Sequence, residues 1–362
     1  MIFVKVDDLK PGMRLGKPIY NKHGVLLHER DSKLTDQSIF GVRNFGLIGL
    51  YILEPAEPVP PMSEDDIQFE RFQTVSIFSI RDDLKLMASG KAPKTLDWLV
   101  NIIIKNYGQL DRKINFIQNL RSSEDFMYKH ALNLAILVAM ISNQMNAPVS
   151  VQNRAVKAAI IHDVGYILRN QNNQLNMDSE LTLEQEQAVQ KGTQDVFSSV
   201  DIDTDTARLA IKLHENLKAD LEGKRIETGQ DLASDILFVA HAYDIMTAMK
   251  SYKEPTSEIM AIRQLIDHER KYEPEVVNAL IKSINILNEG VCVELTNKKK
   301  GLVILENPDS IMRPMILSFD DNNIYDLSNN STYREVQILD VMKTMDNRIK
   351  LDLDALKEYI DK

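Results

Sequence analysis

Cysteine is nearly absent from this chain: Cys292 is the only one in 362 residues. No intrachain disulfide can brace the fold, and a reducing compartment is favoured. Long apolar stretches are missing too. No run reaches the roughly 18 consecutive apolar residues that a membrane-spanning helix needs, and the opening Met1-Ile-Phe-Val-Lys-Val-Asp7 has no basic leader followed by an apolar segment. A cytoplasmic protein without a membrane segment is the expectation. Basic residues are in deficit: 43 Lys and Arg against 53 Asp and Glu give a net charge of -10. The chain therefore has no broad electrostatic attraction for DNA or RNA, and any anionic ligand must be held by a local cluster of cations. Internal repeats and low-complexity tracts are absent. What remains is a globular composition, 44% hydrophobic, in a chain long enough for two or three domains and a sizeable core.

The apolar pattern changes twice along the chain. Residues 1–54 read as short strands between turns, with Pro11-Gly12, Ile19-Tyr20, Gly24-Val-Leu-Leu27 and Leu47-Ile-Gly-Leu-Tyr-Ile-Leu53, a small mostly-β module. Pro55, Pro58, Pro60 and Pro61 ahead of Ser63-Glu-Asp-Asp66 predict a semi-rigid polar linker over 55–66, since proline continues neither a helix nor a central strand. Over 67–288 apolar residues recur at spacings of three and four, the helical period. Thr95 is placed as N-cap of a helix from Leu96 to Ile104. A helix opened by His130 puts Leu132, Ala135, Ile136 and Ala139 on one face; Val151–Ile161 forms a helix ending at His162, and Ala207–His214 and Ile236–Met249 form two more.

From 289 to 345 strands return as Val291-Cys-Val-Glu-Leu295, Leu302-Val-Ile-Leu305 and Met315-Ile-Leu-Ser-Phe319, followed by a helical tail over 346–362. The basic turn Asn297-Lys-Lys-Lys-Gly301 is read as a solvated hairpin tip in preference to a nucleotide contact. The expected architecture is mainly α, a helical bundle flanked by small β-rich N-terminal and C-terminal modules.

Within the helical region, the apolar run Ala158-Ala-Ile-Ile161 ends on His162-Asp163, an imidazole beside a carboxylate. Neighbouring helical positions point about 100° apart, so both reach one divalent ion only where several helices converge and supply further ligands. Four of the seven histidines, His130, His162, His214 and His241, fall inside or at the end of apolar helical patterns, whereas His23, His28 and His268 sit in polar surroundings and are read as surface residues. One buried histidine is more often hydrogen-bonded structure than ligand. Four together make a candidate metal centre.

With these residues in place the chain resembles the HD-GYP branch of the HD phosphohydrolase superfamily, whose members hydrolyse the bacterial messenger cyclic di-GMP at a bimetal centre. The likeness covers about residues 115–285. His130 matches the first family histidine, His162-Asp163 the motif pair, and Val239-Ala-His-Ala-Tyr-Asp-Ile-Met-Thr247 the family's Val-Ala-Asp-x-x-Asp-Ala-Leu-Thr; Tyr252-Lys253 and Tyr272-Glu-Pro-Glu-Val-Val277 continue it. Val6-Asp-Asp-Leu-Lys-Pro-Gly-Met13 and Gly290-Val-Cys-Val-Glu-Leu295 resemble the modules that flank such domains. The departures are specific. An aspartate becomes His241, an expected histidine falls near Gly192, a histidine pair becomes Leu213-His214, a lysine becomes Tyr166, and no Gly-Tyr-Pro segment occurs from Glu215 to Ile226.

The resemblance implies one metal position with His130, His162, Asp163 and His241 as candidate ligands, Asp163 also taking the catalytic role. His214 is placed beside a second position that has lost most of its shell. One divalent ion is expected, with iron, manganese and zinc equally compatible with those donors. Lys250 and Lys253 align with family basic residues that approach substrate phosphates, and Asp244 and Thr247 are read as orienting or capping neighbours. Two functions follow. The first is a divergent metal-dependent phosphohydrolase acting on a cyclic dinucleotide or another phosphate ester, with weak or no turnover. The alternative is a non-catalytic nucleotide receptor or scaffold for signalling proteins, degenerate or similar to the HDOD branch and needing no ion.

Overall fold

A computed structural model describes residues 2–20, 24–44, 49–53, 64–109, 126–170, 180–248, 250, 255–284, 286–308 and 310–341. The expected tail at 346–362 and most of the proline linker lie outside these residues. At the N-terminal end, β1 (Ile2–Lys5), β2 (Arg14–Leu15) and β5 (Gly49–Leu53) form an antiparallel sheet in the order β1-β5-β2, while β3 (Ile19–Tyr20) pairs with β4 (Leu26–His28). Between β4 and β5 lies a helix that the strand-like reading did not anticipate, α1 (Asp36–Asn44). Its start is local chemistry: Ser38 N–H donates to Thr35 Oγ1 at 3.2 Å and Thr35 N–H to Ser38 Oγ at 2.7 Å. Leu9, Leu15, Leu34, Ile39, Val42, Leu50 and Ile52 make a core of their own.

The helical domain begins with α2 (Glu64–Ala88), which takes residues 64–66 from the expected linker; no proline stands between Pro61 and the end of α2 to prevent it. Next comes α3 (Leu96–Tyr107). Thr95 occupies the N-cap position, but its hydroxyl donates to Asp83 Oδ2 at 2.7 Å and makes no cap bond. Asp83, buried, also accepts the N–H groups of Lys94 and Thr95 and so closes the α2–α3 turn. The centre of the bundle is α4 (Phe126–Gln144), buried on every side from Ala131 to Ile141, as a helix apolar all round should be.

Against α4 pack α5 (Val149–Ile161), α9 (Leu232–Thr247) and α11 (Pro274–Ser283). After α5 the chain continues as α6 (Val164–Asn170), so His162-Asp163 is itself the break between two helices. The bundle is completed by α7 (Leu183–Ser199), α8 (Thr204–Leu221) and α10 (Glu258–Asp267). Side-chain caps at Thr182, Asp203, Asp231 and Ser257 start α7, α8, α9 and α10, each contributing about 1 kcal/mol. Among the described residues no helix is long and apolar enough to cross a membrane.

At the C-terminal end, β6 (Cys292–Leu295), β7 (Lys300–Leu305), β8 (Met315–Ser318), β9 (Ile324–Asp326) and β10 (Ile338–Val341) form one antiparallel sheet in the order β10-β6-β7-β8-β9, with α12 (Asn330–Glu335) before β10. The period-2 alternation sends Val293, Leu295, Val303 and Ile316 into the main helical core and Cys292, Leu302 and Ile304 to the opposite face. This sheet therefore extends the bundle's core, whereas the N-terminal module has one of its own. At the basic turn Lys298 and Lys300 are exposed, while Lys299 Nζ bonds Asp321 Oδ2 at 2.5 Å and Tyr325 Oη at 2.8 Å.

Candidate metal centre

Three buried imidazoles converge from three elements: His130 in α4, His162 at the α5–α6 break and His241 in α9. One nitrogen of each lies within 4.8 Å of the other two. The rings meet edge to face, with centroids 4.9 Å apart for His130 and His241, 5.2 Å for His130 and His162, and 5.8 Å for His162 and His241. Nitrogens bound about 2.1 Å from a shared ion are at most about 4.2 Å apart.

Hydrogen bonds behind the rings decide which nitrogens face inward. His130 Nδ1 is 2.6 Å from Asp244 Oδ2, and Asn133 Nδ2 donates to the other carboxylate oxygen at 3.3 Å. His162 Nδ1 is 2.9 Å from the Ala159 carbonyl oxygen. A carbonyl only accepts, so this nitrogen carries the proton and the neutral ring keeps its lone pair on Nε2. The Nε2 atoms of both His130 and His162 are buried with no hydrogen-bond partner among the described residues. Unpaired buried polar atoms cost about 1–3 kcal/mol each, and an oriented ring with its second nitrogen open is how proteins present histidine to a metal. Asp163 Oδ2 lies 3.3 Å from His162 Nε2 without meeting hydrogen-bond geometry. Two electron-rich atoms at that separation attract only with a proton or cation between them.

The electrostatics favour neutral rings at His130 and His241. Burial lowers the pKa of His130 below 6.5 against the opposing pull of Asp244. For His241 burial and the neighbouring His130 and His162 act together, taking its pKa well below 6.5. At Asp163 burial works to raise the pKa, but the imidazoles of His162, His130 and His214 outweigh it and hold the carboxyl below the usual carboxylate range.

His214, expected beside a second metal position, stands apart from the three-histidine cluster. Its Nε2 is 2.8 Å from the His162 carbonyl oxygen and its Nδ1 is 2.6 Å from Glu186 Oε1. Both nitrogens already face protein acceptors. Burial pulls the pKa of this ring down, and the Glu186 carboxylate reverses the effect and raises it.

The other expected residues divide. Phe126 lies nearly parallel to the His130 ring, centroids 6.2 Å apart, and Lys250 Nζ stands 5.9 Å from the Phe126 centroid, which puts this ammonium one ring away from His130. Lys253 and His23 lie outside the described residues. His28 is half-buried and His268 exposed, Asp244 orients His130 as expected, and Thr247 Oγ1 donates to the Tyr243 carbonyl at 2.8 Å. Sequence reasoning passed over Asn133, the Ala159 carbonyl, Glu186 and Thr193. Asn133 carried a signal, since it follows His130 by three residues and shares its helix face; the others carried none. Two surface clefts of about 510 and 650 Å³ share Arg154 and Asp205 and include none of the cluster histidines.

No family model matches the chain. Over 205 residues it is 23% identical to a cyclic di-GMP phosphodiesterase of Pseudomonas aeruginosa, a match that covers 55% of this chain and 49% of that protein. This match supports the likeness of the helical region to a divergent HD-GYP domain. The chain spans about half the length of this curated relative. Among solved structures, an HDG"Y"P protein from Bdellovibrio bacteriovorus aligns with 77% of this chain and 97% of its own, at a TM-score of 0.48 and 13% identity.

In the helical region, the position where the resemblance places a missing histidine is filled by helix packing. Gly192 on α7 lies against Gly165 on α6: a Cβ on Gly192 would stand 2.9 Å from the Gly165 carbonyl oxygen, and one on Gly165 would collide with Thr193 N and Val189 O. A histidine at 192 has no room. The adjacent Thr193 hydroxyl donates to the His162 carbonyl at 3.0 Å and accepts from Gly165 N–H at 3.2 Å. Tyr166, in place of the family lysine, is buried, and its N–H donates to the Asp163 carbonyl at 2.9 Å.

Proposed function

We propose that this protein is a divergent HD-GYP-like phosphohydrolase-family member in bacterial cyclic di-GMP signalling that holds one divalent ion and turns its ligand over slowly or not at all. The observation that carries the reading is the pair of buried Nε2 atoms, on His130 and His162, that have no hydrogen-bond partner among the described residues and lie beside His241. His130, His162 and His241 would supply three neutral nitrogens and Asp163 one carboxylate, a donor set suited to iron, manganese or zinc. When bound, such an ion lowers the pKa of a water and neutralises charge on a phosphoryl oxygen. The chain's own residues do the rest. Asp244 and the Ala159 carbonyl hold two rings with Nε2 inward, and Lys250, beside Phe126, with Lys253 would meet the ligand's phosphates.

Weak turnover follows from what the second position lacks. Two-ion catalysis stabilises both the attacking and leaving oxygens of an in-line displacement, and here Gly192 has no side chain to offer and both nitrogens of His214 are engaged. The same observation favours a second reading, a receptor that binds the dinucleotide without hydrolysis. The relative's activity supports cyclic di-GMP as the first ligand to test. Elemental analysis of protein purified without chelator should give close to one divalent ion per chain, and titration calorimetry should detect cyclic di-GMP binding to that form. No metal after reconstitution would remove hydrolysis by this route. Fast hydrolysis abolished by Asp163→Ala would overturn the slow-turnover part.

A further inference from the structure

We infer that His214, Thr193 and Glu186 are positioning residues that hold the His162-Asp163 peptide in its ligating orientation, and that His214 is not a metal ligand. The inference rests on the one-ion reading above and assigns roles to three residues outside its donor set. The argument begins at the end of α5. His162 is the C-cap, so its carbonyl is among those that no intrahelical N–H can reach. Two donors from other helices take it: Thr193 Oγ1 on α7 at 3.0 Å and His214 Nε2 on α8 at 2.8 Å.

The role of His214 does not depend on its charge. Because a carbonyl oxygen accepts and never donates, Nε2 must carry a hydrogen whether the second proton of the pair sits on Nδ1 or on Glu186. A nitrogen bearing hydrogen cannot bind a metal, and Nδ1 is covered by Glu186 Oε1 at 2.6 Å. Glu186, His214 and Thr193 are all buried. The close approach of Gly165 to Thr193 brings the threonine hydroxyl within reach of both Gly165 N–H and the His162 carbonyl. Rotating the 162–163 peptide would break both bonds to the carbonyl, so the direction of the His162 and Asp163 side chains is set from α7 and α8.

Paired variants test this, one member keeping the donor and one losing it: His214→Gln against His214→Leu, and Thr193→Ser against Thr193→Val. Each is titrated with Co²⁺ or Zn²⁺ for affinity and stoichiometry, and hydrogen exchange at the Tyr166 amide, which closes the turn onto the Asp163 carbonyl, is followed in the metal-free protein. The leucine and valine variants should bind the ion at least tenfold more weakly, as loss of outer-shell partners does, and exchange Tyr166 at least tenfold faster. The glutamine and serine variants should stay close to the parent, a rescue that a merely space-filling role would not show. If His214→Leu does not fold, the Thr193 pair decides. Parent-like affinity and exchange in the donor-less variants would overturn the inference, as would a parent that binds two ions and drops to one in His214→Leu. A parent that binds no ion refutes the proposed function instead, and the exchange measurement then decides the clamp alone.

Discussion

His130 and His214 are both buried and both hold a carboxylate oxygen 2.6 Å from Nδ1, Asp244 in one case and Glu186 in the other. They differ in what lies beyond Nε2. For His130 it is two further imidazoles and, among the described residues, no hydrogen-bond partner; for His214 it is the His162 carbonyl. The carboxylate behind a histidine therefore orients the ring in both regions without deciding its purpose. The partner of the opposite nitrogen decides it, because an acceptor there demands a proton while an open lone pair invites a cation. The pKa directions follow, lowered at His130 and raised at His214.

The sharpest way to break this comparison is to remove one nitrogen from each region. His162→Ala or His241→Ala should abolish stoichiometric metal in elemental analysis, while His214→Gln should keep it; equal losses would make the two regions alike. Removing the orienting carboxylate comes next. Asp244→Ala should weaken metal affinity by about 10- to 100-fold and cost about 1–3 kcal/mol in denaturant unfolding for the unpaired His130 nitrogen. If the anionic ligand sits on the His130 side, Lys250→Glu with Lys253→Glu should weaken cyclic di-GMP binding at least tenfold in calorimetry. That is more than the ~0.2–1 kcal/mol of a surface ion pair, since repulsion replaces attraction beside the ion.

Proton linkage in the metal-free protein should separate the regions more gently. His130 and His241 have folded pKa values below 6.5, so the unfolded chain takes up protons first and stability falls as pH drops below about 6.5. His214 has its folded pKa above 6.5. Its contribution is full below that pH and is lost as pH rises through the folded value. Chemical unfolding across this range should show a shallower acid loss in His241→Gln and a shallower alkaline loss in His214→Gln. The smallest effect is expected from a chain beginning at Ser63. The N-terminal module has its own core and meets α2 through the Lys17–Glu70 ion pair at 2.8 Å, so the shortened chain should retain its helical circular dichroism and its ion.

Local patterns were legible because their causes are local. The apolar spacing along α3, α4, α5 and α9 announced helices to within a few residues, the His162-Asp163 pair marked a site, and the alternation in β6, β7 and β8 marked a sheet. Helix α1 escaped that reading, its start resting on a Thr35–Ser38 exchange within a strand-rich stretch. The Thr95 cap failed because Asp83, 12 residues earlier, competed for the hydroxyl.

By itself the amino-acid sequence determined the helical class of this protein, its flanking sheets and the four histidines from which a site could be built. Only the tertiary structure decided which three of them meet. The reason is distance along the chain: Asp244 reaches His130 across 114 residues, while Glu186 lies 28 residues and the His162 carbonyl 52 residues from His214. No spacing rule spans such separations. The protonation and direction of a buried imidazole belong to whatever groups folding brings against its two nitrogens, and those arrive from other helices.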